Sequence, residues 1–72
     1  MREKIIALIE ELLKLPAGSV KEDTRAEDVE AWDSLAHVML IGELESRLGI
    51  SIPLDEAGEI YCVSDIFQKA GV

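Results

Sequence analysis

Apolar residues recur at Ile5, Ile6, Leu8, Ile9, Leu12, Leu13 and Leu15, with Glu10, Glu11 and Lys14 opposite them. At about 100° per residue this spacing makes one broad apolar face and one wet face. It predicts an amphipathic helix from about Arg2 to Leu15, stopped by Pro16 and Gly18. The period then lapses. Residues 17–31 read as a long loop rich in charge, with Val20, Ala26 and Val29 available to pin it to a core. A second helix begins at Ser34 or Leu35 and ends at Gly49. On its wheel His37, Leu40, Ile41, Leu44 and Leu48 share the core side. Leu35, Val38 and Met39 form a second apolar surface beside Ser34, flanked by Glu43 and Glu45. That surface is either ordinary exposed aliphatics or a docking patch. Ile50, Ile52 and Pro53 make a short extended link. Asp55 to Tyr61 predicts a brief helix weakened by Gly58. Val63 to Ala70 predicts a last helix with Val63, Ile66 and Phe67 inward, Asp65 in its first turn and Gly71 closing it. The pattern is all-α: a small four-helix bundle, three main helices plus one short helix, with a long loop between helices 1 and 2.

Seventy-two residues make a single domain, over residues 1–72, with one small core. Such a chain is too small for a deep pocket of its own. That argues for a module working with larger partners and against a self-sufficient enzyme. Fifteen acids against seven bases give a formal net charge of −8. Nucleic acid is disfavoured as a partner, because binding it rests on basic side chains meeting phosphates. Basic protein surfaces are favoured instead. The single cysteine, Cys62, allows no internal disulfide and fits a reducing compartment. No signal segment opens the chain, and no apolar run approaches a membrane span. The expectation is a cytoplasmic monomer without membrane insertion.

The chemistry narrows to Asp33-Ser34-Leu35, after Trp32 and at the mouth of the second helix. A hydroxyl there meets unpaired backbone N–H groups and the positive end of the helix dipole, a natural seat for a phosphate. Covalent attachment of a phosphate-linked group to Ser34 is one reading. The other is an N-cap serine that merely satisfies a backbone N–H. Ser34, His37 and Asp33 invite comparison with a hydrolase triad. There is no G-x-S-x-G elbow, however, and His37 points toward the core side, where it would cover the long loop. Cys62 reads as a packing residue. One histidine and one cysteine far apart make no metal-ligand spacing, and no Gly-rich phosphate loop is present.

The helix order, the acidity and W-D-S-L-A-H-V at 32–38 resemble the acyl carrier protein family, including its peptidyl and aminoacyl carriers. The resemblance covers nearly all 72 residues. It continues through L-I-G-E-L-E-S-R-L-G-I at 40–50 and V-S-D-I-F at 63–67. It implies that Ser34 receives 4'-phosphopantetheine from coenzyme A through a separate phosphopantetheinyl transferase. The arm's thiol would then carry an acyl or aminoacyl group as a thioester, and the chain itself would catalyse nothing. Asp33 would sit beside the phosphodiester, with Leu35 next to the attachment point. Leu35, Val38 and Met39 would touch partner enzymes, and Glu43, Glu45, Glu56 and Glu59 would meet basic residues on them. The chain departs from many fatty-acid carriers at Ala36 and Met39, where acids are common, and at Gly42, where a larger apolar residue is common. A discrete carrier in a specialised pathway (polyketide, lipid or surface-polymer assembly) is therefore expected. An aminoacyl or peptidyl carrier and an unmodified helical interaction module are the alternatives. The aliphatic faces of Leu8, Leu12, Ile41, Leu44 and Ile66 are candidates to line an acyl pocket.

Overall fold

The computed structural model describes residues 1–72 as four α-helices without a strand. They are α1 (Arg2–Leu13), α2 (Ser34–Leu48), α3 (Leu54–Ala57) and α4 (Val63–Ala70), with a 3-10 turn at Ala26–Asp28 in the long loop. No helix is long and apolar enough to cross a membrane.

The core follows the apolar periods. Ile5, Leu8, Ile9 and Leu13 of α1 meet Leu40 and Leu44 of α2 and Val63, Ile66 and Phe67 of α4. Val20, Trp32, Ile50, Ile52, Ala57 and Ile60 close it from the connecting segments. Burying each large aliphatic contributes about 1.5–3 kcal/mol, which a chain this short needs to offset its ordering entropy.

The first helix ends earlier than its apolar period. Lys14 adopts a left-handed conformation (φ 57°), and its N–H and that of Leu15 turn back to carbonyls of the last turn. The stop is this αL cap, two residues before Pro16. The third helix is also shifted from the expected Asp55–Tyr61. It starts at Leu54, directly after Pro53, and ends at Ala57 because Gly58 caps it.

Glu10 overturns the expected wet face of α1. It is 9% exposed, and its Oε2 accepts the backbone N–H groups of Gly18 (2.8 Å) and Val20 (3.1 Å). The loop folds back over that turn, and the carboxylate satisfies two of its donors. Val20 is buried, and Ala26 and Val29 are partly so, as their apolar character requires. The far end of the loop is stitched to the start of α4. Ala26 N–H donates to Tyr61 O, Val63 N–H to Thr24 O and Ser64 N–H to Glu22 O, all within 3.0 Å. One isolated bridge, Arg25 with Cys62, completes the join. The loop is long but anchored at both ends, and it delivers the chain to α2 at a fixed place.

Candidate functional site

Trp32 is the last buried residue before α2, at 6% exposure. The chain surfaces immediately afterwards, and Asp33, Ser34 and Leu35 are all exposed. Asp33 is the N-cap: its backbone is extended and its Oδ1 accepts the Ala36 N–H at 2.8 Å. The capping alternative for Ser34 is thereby corrected, because Asp33 fills that position and Ser34 is the first helical residue. The Asp33 carbonyl takes the His37 N–H at 2.9 Å. The N–H groups of Ser34 and Leu35 remain as free donors at the positive end of a 15-residue helix.

The Ser34 hydroxyl opens on a shallow groove of about 380 Å³. Its walls include Trp32, Val38, Leu54, Ala57 and Ile60. A neighbouring cavity of about 270 Å³ lies between α2 and α3. It is lined by His37, Val38, Ile41, Gly42, Glu45, Ile52, Leu54 and Ala57. Of the five aliphatics expected to line a pocket, only Ile41 does so. Leu8, Leu44 and Ile66 are packed solid in the core, and Leu12 packs against it. The open space therefore lies beside the bundle rather than through its middle.

The second apolar surface of α2 is real. Leu35 is 71% exposed, Val38 57% and Met39 50%. Two further apolar residues, Leu54 (73%) and Tyr61 (65%), are equally bare. Sequence reasoning missed Leu54 because it stands at the start of a four-residue helix, too short to show a period. Its position after Pro53 was the available signal.

The expected docking acids divide. Glu45 is exposed and lines the α2–α3 cavity. Glu43 pairs with Arg47 at 3.1 Å, and Arg47 also binds Glu11. Glu56 (3.5 Å) and Glu59 both face Lys69. The hydrogen bond that Lys69 donates to Glu59 holds its ammonium above its ordinary pKa. Glu43 is thus paired with Arg47, and Glu56 and Glu59 with Lys69, within the chain. The surface next to Ser34 is accordingly more apolar than acidic.

His37 does not serve Ser34. Its Nδ1 accepts the indole N–H of Trp32 at 3.0 Å, and its Nε2 lies 2.8 Å from the Ala57 carbonyl oxygen. Both nitrogens are occupied, so His37 is not free to act as a base on the hydroxyl. The residue spans from Trp32 to α3 rather than covering the long loop. Cys62 caps α4, with its Sγ 3.0 Å from the Ser64 hydroxyl. The Asp65 carboxylate accepts the Tyr61 and Cys62 N–H groups at 2.9 and 3.3 Å. The Tyr61 bond is the main reason its pKa is lowered, with burial opposing it.

A family model described as a phosphopantetheine attachment site matches residues 3–67. An acyl carrier protein from Rickettsia canadensis is 39% identical over 69 residues, covering 94% of this chain and 79% of that protein. An acyl carrier protein from Rickettsia prowazekii is 38% identical over the same shares. The solution structure of holo acyl carrier protein from Geobacter metallireducens superposes with a TM-score of 0.84. That match has 26% identity and covers 97% of this chain and 80% of the other.

Proposed function

This chain belongs to the acyl carrier protein family, and from that membership we propose that Ser34 carries its prosthetic group and that α2 presents the cargo to partners. Members of the family are carriers, not enzymes, and their prosthetic group is 4'-phosphopantetheine. When bound, that group supplies a thiol that holds an acyl cargo as a thioester.

The observation that carries the assignment is the setting of Ser34. It is an exposed hydroxyl at the first position of α2, with two free N–H donors beside it and a groove in front. The residues fit a phosphodiester. The Ser34 and Leu35 N–H groups would be available to hold it, and the helix end would favour its charge. Asp33 spends one carboxylate oxygen on Ala36 and so holds the first turn open in a fixed shape. Its remaining charge stands beside the attachment point, where a transferase and its metal approach. Trp32, Val38 and Leu54 offer an apolar wall to whatever hangs from Ser34.

Leu35, Val38 and Met39 are the contact residues for the transferase and for acyl- or aminoacyl-handling enzymes with basic docking surfaces. Glu45 is the free acid among the expected four, and Glu43, Glu56 and Glu59 contribute once their internal cations are shared. The apolar face supports service in a specialised pathway over bulk fatty-acid synthesis. Ala36 and Met39 stand where acids would sharpen attraction to housekeeping enzymes. An aminoacyl or peptidyl cargo remains the second reading, on the same apolar face.

Transfer of a fluorescent phosphopantetheine from a coenzyme A analogue tests the assignment. Label on the native chain and none on Ser34→Ala is the expected result. Label retained by Ser34→Ala contradicts it. Loading by isolated acyl-transferring and adenylating enzymes then separates the cargo classes. Efficient exchange with a housekeeping fatty-acid synthase would count against the specialised assignment.

A further inference from the structure

His37 stands one turn after Ser34, half-buried, with each ring nitrogen against a partner whose role is fixed. An indole N–H only donates, and a carbonyl oxygen only accepts. Nδ1 therefore accepts from Trp32 and Nε2 donates to Ala57. That pattern of bonds calls for a neutral ring with its proton on Nε2. The Trp32 and His37 rings are also stacked, with centroids 6.1 Å apart and planes at 29°. One side chain thus ties together the residue that enters the Asp33-Ser34 cap, the first turn of α2 and the end of α3.

We infer that His37 is a positioning residue: its neutral ring fixes Trp32 and the approach to Ser34, and a charged ring releases Trp32 while keeping α3.

The two ends of the bridge answer a proton differently. A second proton goes to Nδ1, where it meets the Trp32 N–H, donor against donor. Trp32 is 6% exposed, so its N–H loses its acceptor in a place water barely reaches. The Nε2–H bond to Ala57 survives and gains charge assistance. The charged groups around the ring are Asp33, the N-cap of α2, and Glu45 on α2, each lining one of the two hollows His37 borders. Residues from the link, the loop and α3 in those hollows, such as Ile52, Ile60, Leu54 and Ala57, carry no charge. This inference goes beyond the carrier assignment and stands whether or not Ser34 is modified.

Nitrogen-15 NMR of the imidazole and the Trp32 indole across pH 8 to 5 tests it. A neutral ring protonated at Nε2 is expected. On acidification the Trp32 indole N–H should move to a weaker-bonded shift and lose protection from exchange by about tenfold. Both changes should share the midpoint of the His37 ring, while its Nε2–H stays protected. In His37→Gln the amide oxygen accepts and the amide NH2 donates without titrating, so the Trp32 signal should stay flat. A neutral ring protonated at Nδ1 would overturn the inference. So would a Trp32 signal that titrates alike in His37→Gln, or loss of Nε2–H protection ahead of the Trp32 change.

Discussion

Ser34 and Asp33 are neighbours with separable duties. The Ser34 hydroxyl lies outside the helix's own capping bonds, so Ser34→Ala should change stability by no more than about 0.5 kcal/mol. Asp33→Ala removes the bond to Ala36 and should cost about 1 kcal/mol in urea denaturation. Equal losses from the two substitutions would mean that Ser34 shares the cap after all. Asp65 gives a pH signature. Its folded pKa lies below the ordinary 3.8, chiefly through the Tyr61 N–H. Its stabilisation is therefore present above pH 3.8 and is lost as pH falls through the lower folded value. Asp65→Asn should flatten the acid limb of the stability curve below about pH 4, followed by circular dichroism. The start of α2 at Ser34 was legible in the D-S-L triplet, because short polar residues before an apolar period mark a helix start. Glu10 and the His37 bridge were not legible. Their partners, Gly18, Val20 and Ala57, lie 8, 10 and 20 residues away, and only the fold brings them near.

The helices themselves were legible wherever a period ran for two turns or more. α2 and α4 have the expected ends because a glycine in the left-handed region closes each, Gly49 at φ 68° and Gly71 at φ 75°. α1 misled because its apolar period runs on to Leu15, past the turn at Lys14. α3 has four residues and no period to read. Gly42 is the weak point of α2: an exposed helical glycine with nothing within 4 Å of where a Cβ would stand. Gly42→Ala should add about 0.8 kcal/mol and raise the melting temperature by several degrees. A fall in melting temperature would show that the bare backbone there is packed against something.

At the scale of the whole molecule, the proposed function has a net charge of −8 steer partners in and the apolar face of α2 set how long they stay. Raising salt from 0.05 to 0.5 M should slow loading by a basic partner, as screening shortens the reach of that charge to roughly half a nanometre. Leu35→Ala should weaken transfer at every salt concentration without shifting the melting temperature, since Leu35 is 71% exposed. Loading that ignores salt would mean that the acidic surface takes no part in the encounter. The central claim is that a chain of this family uses Ser34 as its one attachment point. Intact mass after incubation with coenzyme A and a broad-specificity phosphopantetheinyl transferase tests it most directly. The account predicts the gain of a single phosphopantetheine on the native chain and none on Ser34→Ala. No gain under conditions that fully modify a control carrier would contradict it, and would leave the bundle as an unmodified interaction module.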